Sequence, residues 1–237
     1  MRDIIGSFQE RMGLNAYVSG DYEGAERWFR KLESREGESL RVLRNLGVIL
    51  LARGDAEGAG RYLRREEERF GPSYHRHCAL GDLAYAGGRR EEALGRYRAA
   101  LAEPDGGGAG ASRALLEVRA AACADAAAYA RTRGAQERFA AGEAARDAGR
   151  HEEALAAFEE AAALDPSMWP ALNNAGAVLL NGLGDAARAA PYFEKAFALS
   201  GSAQSARNAE LARQAAARQA SARQGLGRAE RTKRKDR

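Results

Sequence analysis

The residues best suited to chemistry in this 237-residue chain are few and scattered. His75-Arg76-His77-Cys78 offers three zinc-type ligands in four positions, since imidazole and thiolate are good donors to zinc. Consecutive residues on a helix point in diverging directions, however, and no second ligand cluster occurs elsewhere in the sequence. His77 also falls where a repeated bulky residue is expected, so the set reads as packing and no metal site is expected. Gly106 to Gly110 resembles a phosphate loop only in its glycines, because no Gly-Lys-Ser/Thr follows and no strand precedes it. It reads as a flexible joint. His151 stands beside Glu152 and Glu153 at a helix start and reads as a solvated turn residue. Runs such as Arg64-Arg-Glu-Glu-Glu-Arg69 suit an exposed helix face, where three- and four-apart ion pairs contribute about 0.2 to 0.5 kcal/mol each. None of these makes a catalytic constellation, and no enzyme activity, cofactor, metal or small-molecule substrate is expected.

The elements that carry these residues are helical. Ala, Leu, Glu and Arg dominate and there are only five prolines, a composition that favours helices over sheet. Hydrophobic residues make up 45% of the chain but aromatics only 7%, so the core must be built largely from Ala and Leu. Cys78 and Cys123 have no paired spacing, which implies a reducing compartment. The opening MRDIIGSFQERMG has no apolar run long enough for a signal peptide, and no stretch approaches the ~20 apolar residues of a membrane span. A soluble, cytoplasmic protein is expected.

Repeats organise the whole sequence. Gly13, Gly47 and Gly81 are 34 residues apart, as are Gly20, Gly54 and Gly88, and Ala25, Ala59 and Ala93, with Phe29, Leu63 and Tyr97 in a fourth column. The stretch Ala135 to Met168 carries the same columns as Gly142, Gly149, Ala154 and Phe158. Its successor keeps Gly176 but places Ala189, Phe193 and Ala196 one residue late, because the turn Asn181 to Asp185 holds an extra residue. Small residues mark where two helices of a hairpin approach closely, and one such hairpin cannot bury its inner face without neighbours of the same shape.

On these columns, with Leu46-Gly47, Leu80-Gly81, Ala141-Gly142, Ala175-Gly176 and Pro166, the chain resembles the tetratricopeptide repeat family of 34-residue helix-turn-helix modules. Pro166 alone matches the family's terminal proline in place; Pro72 and Pro104 stand one residue off. The resemblance implies five repeats, at 6–39, 40–73, 74–107, 135–168 and 169–203, and an all-α, right-handed α-solenoid. The interval from Gly81 to Gly142 is one repeat plus 27 residues, so the array is interrupted. A breaker-rich linker from Glu103 to Ser112 leads into Arg113 to Gly134, read as one alanine-rich helix with Ser112 as N-cap. The expected organisation is therefore an N-terminal array (1–103), a linker and extra helix (104–134), a second array (135–202), a capping helix (203–224) and a disordered basic tail (225–237); the extra helix either caps the first array as a joint, the favoured reading, or runs on through Gly134 as one long kinked helix joining the two arrays.

The resemblance also implies a concave groove, lined by the first helices of successive repeats, that accepts a partner protein's peptide or helix. Carried over by register, the first array presents Glu10, Leu14, Tyr17, Arg41, Arg44, Asn45, Val48, Leu51, His75, Asp82 and Tyr85. The second presents Phe139, Glu143, Arg146, Asn173, Asn174, Leu180 and Asn181. The first set suits a peptide with an apolar anchor and an acidic group. Chaperone-binding members of the family hold a carboxylate with Lys, Asn, Asn, Lys and Arg; the matching slots here are Glu10, Leu14, Asn45, His75 and Ala79, and only Asn45 agrees, which argues against a chaperone-tail role.

The leading functional expectation is a protein-interaction scaffold or adaptor, with a secretion or assembly chaperone as a further form of the same groove. Charge offers a second one. The chain is net +4, yet Arg207 to Arg237 holds ten basic and three acidic residues, leaving the remainder at −3. Arg228, Arg231, Lys233, Arg234, Lys235 and Arg237 could hold nucleic acid or a ribosome through phosphates, with affinity falling as salt rises.

Overall fold

The computed structural model describes residues 4–103 and 113–235, with side chains of the final helix through residue 222. The chain divides into two compact units, Met1–Gly110 and Ala111–Arg237.

The first unit is three helical hairpins: α1 (Ile4–Val18) with α2 (Tyr22–Glu36), α3 (Leu40–Arg53) with α4 (Ala56–Phe70), and α5 (Tyr74–Ala86) with α6 (Arg90–Ala102). Within each hairpin a glycine admits the ring or branched side chain of the facing helix. A Cβ on Gly13 would stand 2.7 Å from the Phe29 ring and one on Gly81 2.8 Å from Tyr97, whereas one on Gly47 would meet Leu63 at 3.6 Å. The turn glycines Gly20, Gly54 and Gly88 have φ of 82°, 86° and 78°, a region that costs other residues strain. The core between the first two hairpins is apolar, built on Ala25, Phe29, Leu32, Val42, Leu43, Leu46, Ile49 and Leu50.

The second helices of four of the hairpins start in one of two ways. Asp21 and Asp55 cap α2 and α4 by accepting from the Gly24 and Gly58 amides, each at 2.8 Å. A Cβ on either glycine would run into the capping carboxylate. In α6 the cap position is Arg89, and the residue three on is Glu92, paired with it at 2.6 Å. The same swap recurs at Arg150 and Glu153, 2.8 Å apart. Side-chain capping of orphan amides is thus exchanged for a salt bridge across the first turn.

The second unit holds α7 (Arg113–Ala124), α8 (Ala126–Thr132), the hairpin of α9 (Ala135–Asp147) and α10 (His151–Leu164), then α11 (Trp169–Ala177), α12 (Ala186–Ser200) and α13 (Ala203–Lys235). One sequence expectation changes here. Arg113 to Gly134 is two helices, because Asp125 leaves the helical region and its side chain accepts from the amides of Ala127 and Ala128 at 2.8 and 3.1 Å. Within this unit α7 packs against α12, and Arg119 donates to Ser167 Oγ at 3.3 Å. The backbone of α13 is one helix through Lys235. The expected joint at Gly106–Gly110 and the Ser112 cap lie outside the described residues.

The extra residue of the last repeat takes a definite form. Val178–Gly182 is a π-helical turn in which the Leu183 amide donates to Val178 O at 3.0 Å, and Asp185 donates to Leu179 O at 2.8 Å. One widened turn absorbs the insertion and returns Ala189 and Phe193 to the core.

Candidate partner groove

The site is built where α3, α4 and α5 meet. Leu43, Leu46, Gly47 and Leu50 face inward on α3, which turns Arg44, Val48 and Leu51 outward. Val48 and Leu51 remain 43% and 40% exposed. Together with Leu63, Glu66, His75, Arg76 and Ala79 they line a cavity of about 270 Å³.

The cavity floor is ionic. Glu66, within a run read as a solvated face, is buried: its Oε1 accepts from Arg76 Nε at 3.0 Å, and the side chains are only 2% and 6% exposed. Arg76 Nη1 also donates to Gly71 O at 2.5 Å. Arg44 Nη2 reaches the same Glu66 oxygen at 3.4 Å and stays half exposed. Two guanidiniums thus share one carboxylate, so the groove carries one positive charge in excess beside an apolar wall. This arrangement can take an apolar side chain next to an anionic group. Sequence reading missed the pair; the available signal was that Glu66 and Arg76 stand 34 residues after Leu32 and Val42, in core columns.

The other expected groove residues are distributed unevenly. Arg41 is neutralised by Glu10 and Glu36, both at 2.6 Å, and those carboxylates hold its proton more firmly than usual. Asn45 donates to Arg41 O at 2.8 Å. Tyr17 and Tyr85 are half-buried, with rings 5.6 Å from Tyr22 and 6.2 Å from Tyr97; Asp82 accepts the Tyr97 hydroxyl at 2.9 Å. Leu14 is exposed. These residues share α1, α3 and α5, but only Arg44, Val48, Leu51 and His75 border the cavity.

In the second unit most groove positions are already engaged. Phe139 packs on Phe158 with centroids 5.5 Å apart. Asn173 Oδ1 accepts from Ser205 Oγ and Asn208 Nδ2 of α13 at 3.3 and 3.2 Å. Arg146 pairs with Asp147 at 3.0 Å and lies 3.8 Å from Glu143. Asn174 and Leu180 are half-buried and Asn181 is exposed. The side chains of Arg228, Arg231, Lys233, Arg234, Lys235 and Arg237 lie outside the described residues.

The histidines separate as their helical positions require. His75 is exposed beside Tyr74, His77 lies 3.4 Å from Arg96 and 3.9 Å from Glu67, and Cys78 is buried. Among the described residues no three His, Cys, Asp or Glu side chains are grouped to hold a metal ion. His151 is half-covered and not the solvated turn residue expected: its ring lies against Gly182 of the π-helical turn. Among the described residues no helix is long and apolar enough to cross a membrane.

No curated protein sequence matches the chain. Solved structures with similar folds include MamA 41-end from Desulfovibrio magneticus RS-1, at 18% identity over 83% of this chain and 96% of that one, with a TM-score of 0.42. The TPR2AB-domain:pHSP90 complex of yeast Sti1 is similar at 17% identity over 92% and 86%, with a TM-score of 0.43. YrrB, described as a TPR protein with an unusual peptide-binding site, is similar at 14% identity over 85% and 90%, with a TM-score of 0.42. The model of the tetratricopeptide repeat matches residues 11–74 and 139–204, more than half of the chain. The protein therefore belongs to the tetratricopeptide repeat family.

Proposed function

We propose that this protein is a non-enzymatic scaffold that binds a peptide or helix of a partner protein in the groove of its first three repeats. The observation that carries this reading is the cavity between α3 and α5, where exposed Val48 and Leu51 adjoin the shared Arg44–Glu66–Arg76 charge cluster. Exposed apolar surface beside a part-satisfied arginine suits a segment with an apolar anchor and a neighbouring carboxylate. Membership of a family of protein-interaction modules supports the same class of function. The engaged positions of the second unit favour the first three repeats as the binding array.

The test is a peptide-display selection on the full chain, followed by affinity measurement of the enriched peptides. Val48→Ser with Leu51→Ser leaves the buried stripe of α3 untouched and is expected to weaken binding about tenfold or more, the size of losing a central apolar contact of about 1.4 kcal/mol. Enriched peptides that bind the double variant as tightly as the wild type refute the groove.

A further inference from the structure

The junction between the first two repeats is closed by acids. Glu26 accepts from Arg30 Nε at 2.8 Å and from Arg53, and Asp55 lies 3.4 Å from Arg53 Nη2. Beside this cluster remains a cavity of about 280 Å³. One repeat later the same register reads differently. Glu26 becomes Gly60, Arg53 becomes Gly87 and Asp55 becomes Arg89, while the arginine at position 30 is kept as Arg64. The cavity there widens to about 480 Å³, with Leu83 and Ala86 in its wall.

Two guanidiniums fold into the space the missing side chains leave. A Cβ on Gly60 would lie 3.5 Å from both Arg64 Nη1 and Nη2, and one on Gly87 would lie 2.6 Å from Arg89 Nη1. Arg89 is held by Glu92, and the lining acid Glu57 is held by Arg61 at 2.7 Å. Among the described residues no carboxylate pairs with Arg64. This cleft shares no lining residue with the α3–α5 cavity, so nothing in it rests on the groove reading.

We propose that the cleft between α4 and α5 binds a carboxylate carried on a short branched apolar stem, seated against Arg64 where Glu26 sits one repeat earlier. Arg64 presents two donors to the two carboxylate oxygens, a fork geometry that lysine or a backbone amide does not supply. The stem lies on Leu83 and Ala86, and a cavity of this size falls within the usual range for small ligands. A free acid and an acidic side chain of a bound peptide share this chemistry.

Isotope-labelled full-length protein, titrated with isovalerate and followed at the amides of Gly60, Leu83 and Gly87, tests the site. Saturable shifts are expected, at least fivefold weaker with isovaleramide, the neutral isostere, and at least tenfold weaker in Arg64→Ala. Gly60→Glu supplies the acid from within the chain; its Cβ has only ordinary contacts, and it is expected to abolish binding while leaving the remaining spectrum in place. A capped leucyl-glutamate peptide that binds tighter than isovalerate assigns the carboxylate to a partner chain, and the reverse order assigns it to a free acid. Shifts that do not saturate, that match for acid and amide, or that persist in both variants overturn the site, as does preferential binding of inorganic phosphate.

Discussion

Glu66 and Arg76 form a buried ion pair at the register positions that Leu32 and Val42 fill with apolar core one repeat earlier. The same interface is therefore built twice in one chain, once from hydrocarbon and once from charge. Removing two ions from water cancels most of their attraction, whereas leaving one of them alone is expensive. Glu66→Gln or Arg76→Met is expected to destabilise the protein by about 3 to 5 kcal/mol. Glu66→Leu with Arg76→Val copies the first junction and is expected to recover most or all of that loss. Urea midpoints of the two single variants and the double variant decide it; a double variant no better than the worse single one contradicts the account.

The glycine columns make a second comparison within the chain. Gly142 faces the Phe158 ring, and a Cβ there would stand 2.7 Å from it, while a Cβ on Gly47 would meet Leu63 at an ordinary contact distance of 3.6 Å. Gly142→Ala is expected to cost about 1 to 3 kcal/mol through overpacking. Gly47→Ala is expected to be neutral or to stabilise by up to about 1 kcal/mol, since alanine loses less entropy in a helix. Thermal unfolding of both variants checks the difference. Equal effects would mean that the columns reflect something other than the facing ring.

What the sequence made legible was periodic. The five hairpins, their small-residue contacts and the site of the one-residue insertion follow from columns 34 apart, because each column answers to one facing residue. What it left hidden depends on single positions set against their columns. Asp125 lies between alanine-rich flanks that read as one helix, and its carboxylate ends that helix by capping the next. Glu66 lies in a charged run in which Arg64, Glu68 and Arg69 are exposed, so only its register with Leu32 marked it as core. At Asn181 to Asp185 the extra residue was visible, but whether a loop bulge or a widened turn absorbs it depends on which backbone hydrogen bonds survive. The family's register set Val48 and Leu51 among the candidate groove residues, yet nothing along the chain showed that Asn173 is occupied by α13.

The two ways of starting a second helix predict an exchange. Asp21 caps α2 through the Gly24 amide, and a Cβ at Gly24 would collide with that carboxylate. Gly24→Glu alone should therefore cost about 1 kcal/mol or more by displacing the cap. Adding Asp21→Arg recreates the Arg89–Glu92 pair of α6 and should return part of the loss. Denaturant unfolding of the two single variants and the double variant measures the coupling, and strictly additive effects would show that cap and third residue act independently.

The last prediction concerns pH. Tyr192 donates its hydroxyl hydrogen to Glu159, and its pKa is pushed up to about 12, first by burial and then by that hydrogen bond and the negative charge of the carboxylate. Unfolded, the phenol titrates near its ordinary value of 10. The proton is thus held more tightly in the folded protein, so the stability this contributes is fully present below pH 10 and is lost as the pH rises towards 12. Tyrosinate absorbance of the wild type minus that of Tyr192→Phe isolates this group among the eight tyrosines of the chain. The difference curve is expected to rise near pH 12, and Glu159→Gln is expected to move it down towards 10. A difference curve already centred at 10 in the wild type would remove the Glu159 contact from the description of α10 and α12.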